Sequence, residues 1–239
     1  MKTLRTGAIW LSATLATFAL HAQTAEEIVS KHIAALGGKD VVGSVKSIYI
    51  ESTIDVNSMQ VPSTTYILNA KGYKSEVTFN GTKIIQCFTD KGGWTVNPMV
   101  GATTPTALPA DQVKASQGQL QVGGPLFDYA AKGSKVELIG TDTAGGKSYK
   151  IQLTSKDGPV IVFYIDASTY FIKKAVAKVT AQGQTVEITS VFSDYRKTDS
   201  GFYMPYAQQQ ILPQMTLGIT HTKIEINKAM DPAIFDMPK

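Results

Sequence analysis

The sequence predicts a mainly antiparallel β protein, a large sheet or barrel, on three observations. Apolar and polar residues alternate with period two from Ile48 through most of the chain. Turn-forming residues punctuate that alternation at short intervals, as at Asn80-Gly81, Asp90-Lys91-Gly92-Gly93 and Lys156-Asp157-Gly158. Helical spacing is confined to a stretch near the start and to short pieces around a proline- and glycine-rich interruption.

Residues 1–22 read as a targeting segment. Lys2 and Arg5 supply positive charge, Ala8 to Leu20 is an uncharged apolar run, and Leu20-His21-Ala22 places a small residue just before Gln23. These three parts match a secretory signal peptide, and the run is too short to span a bilayer comfortably. No cysteine stands directly after the run, so the expectation is a periplasmic protein without a lipid anchor. The rest, residues 23–239, is expected to be one domain. Loss of Lys2 and Arg5 brings the mature chain closer to neutrality than the formal +4 of the whole sequence. Its lysines are scattered, which excludes nucleic acid as a partner. Cys87 is the only cysteine, so no intrachain disulfide forms and stability must come from apolar burial.

Thr24 and Glu27 form a capping box that opens a helix through Ile28, Ile33 and Leu36, and Gly37-Gly38 ends it. Val45 starts the first strand. Tyr73 to Phe79 alternates and turns at Asn80-Gly81 into Thr82 to Thr89, and Trp94-Thr95-Val96 follows. From residue 97 to 125 the rhythm breaks. Pro98, Pro105, Pro109 and Pro125 forbid a continued ladder, and Pro109 to Ala115 reads as a short helix with proline at its first position. Leu126 to Lys132 reads as another, stopped by Gly133. An interruption this long is more often functional than idle. Strands then resume at Val136–Gly140, Ser148–Thr154, Val160–Asp166, Phe171–Thr180, Gln184–Phe192, Phe202–Ile211 and Met215–Ile226. The total is about ten or eleven strands joined mostly by short turns.

Catalytic signatures are missing: there is no Walker loop, nucleophile elbow, HExxH, CxxC or dinucleotide-binding glycine run. The expectation is a protein that is not an enzyme and has no cofactor or metal. His32 and His221 lie far apart in sequence, one on a helix and one on a strand. Cys87 reads as a buried structural thiol, with a nucleophile as the sharper alternative. Asp128, Asp166 and Asp194 stand beside aromatic residues; turn capping and tyrosine hydrogen bonds explain them more cheaply than acid–base chemistry. Asn80-Gly81-Thr82 matches a glycosylation acceptor, but the turn is sufficient reason for it.

Several segments, taken in order, carry a likeness. They are Ala25-Glu26-Glu27-Ile28-Val29, Ala35-Leu36-Gly37-Gly38 and Gly93-Trp94-Thr95-Val96-Asn97-Pro98, then Phe127-Asp128-Tyr129 with Gly133. Ser148-Tyr149-Lys150, Phe163-Tyr164-Ile165-Asp166, Phe192-Ser193-Asp194-Tyr195, Pro205 and Ile234-Phe235-Asp236-Met237-Pro238 follow. Together they resemble the outer-membrane lipoprotein-sorting-protein-like group of the LolA/LolB superfamily, of the sort common in Bacteroidetes. The resemblance implies an α+β fold, mainly antiparallel β: a curved, incompletely closed barrel with an N-terminal helix and short lid or plug helices on its concave side. It also implies that greasy ligands are held in the concavity. One position departs from the pattern. Established carriers place an arginine on a strand near the lid, whereas Tyr73-Lys74-Ser75-Glu76 offers only Lys74, which lacks the planar fork of donors.

A curved sheet of this size encloses more volume than its own side chains easily fill. Residues expected to line that space are Tyr73, Val77, Phe79 and Trp94 in the first half, and Tyr149, Ile151, Tyr164, Val186 and Ile188 in the second. The lid is expected at Pro98, Pro105, Pro109 and Val113, continuing through Leu120, Leu126 and Phe127. The expected function is a periplasmic binding or carrier protein for lipid or lipoprotein acyl chains, without covalent chemistry. The alternative is an envelope interaction module with a filled core. Expected partners are an acyl chain and envelope membrane proteins, and the expected state is a monomer.

Overall fold

The computed structural model describes residues 23–238 apart from 157–158 and 182–183; the expected signal peptide, residues 1–22, lies outside the described residues. Helices α1 (Ala25–Ala35) and α2 (Lys39–Ser44) precede β1 (Ser47–Val56), β2 (Met59–Leu68), β3 (Gly72–Phe79), β4 (Thr82–Thr89), β5 (Gly93–Asn97) and β6 (Ala102–Ala107). Helix α3 (Ala110–Ser116) and a 3-10 turn at Gln117–Leu120 follow. The second run of strands is β7 (Lys135–Asp142), β8 (Ser148–Thr154), β9 (Val160–Asp166), β10 (Ile172–Ala181), β11 (Gln184–Lys197), β12 (Tyr203–Leu212) and β13 (Met215–Ile226).

Among the described residues these strands form one 13-stranded sheet in the order β6-β5-β4-β3-β2-β1-β13-β12-β11-β10-β9-β8-β7. It consists of two antiparallel meanders. They join where β13 returns to pair with β1, from Ile48↔Ile226 to Val56↔Leu217. Strands β6 and β7 end as edges without a mutual pairing, so the curved sheet does not close into a barrel. Because those two edges are consecutive in sequence, the chain between them must cross from one arm to the other.

Sequence alternation finds eleven of the strands; the two it misses, β2 and β6, each contain a proline. Pro62 sits where β2 pairs with β1 at Thr53, while the pairing of β2 to β3 begins only at Ser63. Pro105 lies on the edge strand, inside the irregularity between Thr95↔Thr106 and Asn97↔Ala102. Both are places where a ladder tolerates a missing N–H. The expected lid therefore needs correcting at its start. Pro98 begins a 3-10 turn and Pro105 belongs to β6, so both extend the sheet as a hairpin.

The inner face is plugged by the N-terminal helices. The capping box forms as read: Glu27 N donates to Thr24 Oγ1 at 3.2 Å and Thr24 N to Glu27 Oε2 at 3.3 Å. Ile28 and Val29 of α1 pack with Leu126, Ile151, Leu153, Phe163 and Ile165 over the second arm. Leu36 and Val42 pack with Ile48, Ile50, Val122 and Phe202 near the junction of the arms. A third cluster lies on the opposite, outer face. There Cys87 and Trp94 meet Phe235, from the C-terminal 3-10 turn at Pro232–Phe235. Phe235 O accepts from Trp94 Nε1 at 2.9 Å and from Cys87 Sγ at 3.3 Å.

Gly72 lies directly beneath that phenyl ring. A Cβ there would stand 2.6 Å from the Phe235 ring atoms. Gly72→Ala is expected to push the C-terminal turn off the sheet and cost about 1–3 kcal/mol, the usual cost of overpacking. Thermal unfolding reads the loss; an unchanged Tm would contradict the placement.

Candidate functional site

The crossing segment starts where Leu108 N donates to Gly93 O at 2.9 Å, and Pro109 opens α3, whose Val113 N donates back to Pro109 O at 3.1 Å. Helix α3 packs on β10, whereas the 3-10 turn that follows packs on β3 and β4. One short stretch thus touches both arms across the inner face. Its exit is pinned to the β2–β3 turn. Ala70 N donates to Leu120 O at 2.7 Å and Val122 N to Asn69 Oδ1 at 3.1 Å. Leu120 and Leu126 are buried, and Phe127 packs beside α2. Gly123, at φ +81, makes the turn between them; a Cβ there would lie 2.5 Å from Val42 Cγ1.

Between this segment and the second arm lies a cavity of about 560 Å³. Its floor follows from strand register. One row runs Ile161–Ala177–Ile188 across β9, β10 and β11, and the next runs Phe163–Ala175–Ser190, with Val179 and Phe192 at the ends. The central strand contributes alanines where β9 contributes Ile161 and Phe163 and β11 contributes Ile188 and Ser190. Those missing side-chain atoms leave the space open, since interiors otherwise pack to crystal-like density. The opposite wall is polar: Lys114, Gln117, Gln119, Gln121, Lys132 and Ser134 from the crossing segment, with Ser155 and Lys156 from the β8–β9 turn. No acid, histidine or cysteine is among the described lining residues. A volume of this size falls within the range of roughly 300–1,000 Å³ typical of small-molecule sites. Two further hollows exist. One of about 520 Å³ lies between α1 and residues 126–131, and one of about 300 Å³ lies beside the C-terminal turn.

The expected lining residues are dispersed by the fold. Ile188 lies on the cavity floor, and Val186 faces the same side opposite Val179. Tyr73, Val77 and Phe79 face inward too, but on the other arm, where Tyr73 meets Phe88. Ile151 is fully buried in the core under α1, and Tyr149 stacks on Tyr170 at 6.3 Å. Trp94 and Tyr164 belong to the outer face. Trp94 is covered by Phe235, and Tyr164 by the lysine ammoniums of Lys174 and Lys150, 3.7 and 5.6 Å from its ring. Lys74 also faces outward, bridging Glu76 at 2.8 Å beside the Trp94 ring. It does not face the crossing segment. Of the expected lid, Pro109 caps α3 and Val113 sits within it, while Leu120, Leu126 and Phe127 anchor the segment's exit.

The titratable groups singled out in the sequence sit apart from this cavity and from one another. Burial pushes the Cys87 thiol up to about 12, which keeps it protonated and inert. His32 is buried, with Nδ1 2.8 Å from Tyr170 O, and burial lowers its pKa to about 4. His221 Nδ1 meets Ser52 Oγ at 2.7 Å on the inner face. Asp128 pairs with Lys39 at 3.1 Å and Asp194 with Arg196 at 2.6 Å, each exposed. Asp166 caps its own turn: burial raises its pKa, but hydrogen bonds from Ser168 and Thr169 outweigh that and bring it to about 2. No group of three or more His, Cys, Asp or Glu among the described residues could hold a metal ion.

No family sequence model and no curated protein matches the chain. Solved structures do. A LolA-superfamily protein of Nitrosomonas europaea superposes with TM-score 0.60 at 12% identity, covering 90% of this chain and 98% of that one. A DUF1329-family protein of Desulfovibrio piger gives 0.59 at 15% identity, covering 89% and 97%. A domain assigned as an outer-membrane lipoprotein-sorting protein, from Vibrio parahaemolyticus, gives 0.57 at 13% identity, covering 89% and 96%.

Proposed function

We propose that this chain, which has the LolA-like fold of those structures, is a periplasmic binding or carrier protein that holds an acyl chain in the cavity between the crossing segment and β9–β11. The observation that carries the reading is the alanine-floored cavity. Ala175 and Ala177 leave apolar space that the chain's own side chains do not occupy. Each methylene enclosed there gains about 0.8 kcal/mol from leaving water. A site already shaped by the sheet and the crossing segment loses little of that to ordering on binding. The sequence of the first 22 residues supports a periplasmic location. Lys74, standing where established carriers place an arginine near the lid, faces outward rather than toward the crossing segment, which favours free lipid over lipoprotein cargo.

Native mass spectrometry of the mature chain, purified from a bacterial envelope, tests this reading. A co-purifying mass in the range of one acyl lipid, removed by delipidation and restored by added hexadecanoate, is expected. Protein that emerges empty and takes up no added acyl chain would overturn it.

A further inference from the structure

The cavity's polar wall carries information about the ligand's head. Three lysines line it, Lys114, Lys132 and Lys156, and no carboxylate does among the described lining residues. Lys132 is half-buried; its Nζ donates to Gly124 O at 3.4 Å, and burial lowers its pKa while Asp128 raises it. A partly desolvated ammonium gains from an opposite charge brought within contact distance. Lys156 is its neighbour. The aliphatic stem of Lys156 passes 3.8 Å from where a Cβ on Gly133 would stand, one residue on from Lys132. Neither Lys132 nor Lys156 is in a salt bridge with a described carboxylate. Two lysines, half-buried Lys132 and exposed Lys156, at the wall of an apolar floor form a pattern of opposite ends: one end excludes water and the other attracts negative charge.

We infer that the ligand is an anionic single-chain amphiphile, its chain on β9–β11 and its carboxylate or phosphate head at Lys132 and Lys156. The inference rests on the acyl-chain reading of this cavity and narrows it. Neither the chain nor the head alone accounts for both walls. A neutral greasy ligand brings no opposite charge to Lys132 and Lys156, and a small anion leaves the alanine floor empty.

The test is displacement of the neutral fluorophore N-phenyl-1-naphthylamine from the mature chain by four probes of equal chain length: dodecanoate, dodecyl phosphate, dodecanol and dodecyltrimethylammonium. The anions should displace it at roughly tenfold lower concentration than the alcohol, equivalent to about 1.4 kcal/mol. The double variant Lys132→Gln, Lys156→Gln should erase that preference, and Lys132→Arg, Lys156→Arg should keep it. Dodecanol affinity, which does not use the lysines, is the folding control. If the phosphate outcompetes the carboxylate, the head derives from a phospholipid; the reverse order points to a free fatty acid. Equal displacement by alcohol and anions, or a preference for the cation, overturns the inference and leaves the apolar cavity standing. If no probe binds at all, the acyl-chain reading itself fails.

Discussion

Ala177→Trp is expected to abolish acyl-chain binding while the protein still folds. Ala177 lies at the centre of the cavity floor, between Ile161 and Ile188 in the register of β9, β10 and β11. An indole there projects into space that is already empty, so the overpacking that penalises large residues in a filled core is avoided. What is lost is room for the ligand. Excluding about four methylenes removes about 3 kcal/mol, more than a hundredfold in affinity. Val176 supplies the control, since it occupies the opposite face of the same strand, and Val176→Trp should bind as the parent does. Calorimetric titration with hexadecanoate separates the two. Unchanged affinity in Ala177→Trp would show that ligand lies elsewhere.

Lowering the pH from 6.5 to 4 is expected to remove about 3 kcal/mol of folding stability through His32, whose folded pKa is about 4 against an ordinary 6.5. The imidazole lies under α1 in the core, so burial holds it neutral in the folded chain. The unfolded chain takes up a proton below pH 6.5 while the folded chain does not. Stability is therefore complete above pH 6.5 and falls steadily as pH drops towards 4. His221, also lowered by burial, acts in the same direction. Asp166 acts in a separate, more acidic window. Its pKa is depressed to about 2, so its contribution is present above 3.8 and lost as pH falls below that. Urea unfolding between pH 4 and 7 measures the first window, and His32→Leu should flatten it. A parent protein equally stable at both ends would contradict the burial of this side chain.

Much of the fold is written in local chemistry. The capping box at Thr24 and Glu27, the Asn80-Gly81 turn and the alternation of Ser148 to Thr154 each determine an element without help from distant residues. The strands holding Pro62 and Pro105 were not legible. Whether Pro62 and Pro105 break a ladder depends on what lies beside them, and that is a fact of the assembled sheet. The site was harder still. Period two divides a strand into two faces but does not say which face is concave. Trp94 and Tyr164 are large aromatics on the outer face because a C-terminal turn covers one and lysines cover the other. The signal that does locate the cavity is a shortage of side chain: Ala175 and Ala177 alternate inward on a strand flanked by Ile161, Phe163 and Ile188. Small residues at inward positions between large ones mark a gap, whereas the aromatic positions mark where gaps are filled.

Position is the most direct test of the whole account. With alanine and isoleucine methyl groups labelled for NMR, a stearate bearing a nitroxide along its chain should broaden the signals of Ala175, Ala177 and Ile188. It should leave Ile234, packed on the outer face, and Ala34 and Ala130, in the hollow beside α1, sharp. Broadening confined to Ala34 and Ala130, or spread over the outer face, would contradict a ligand site on β9–β11.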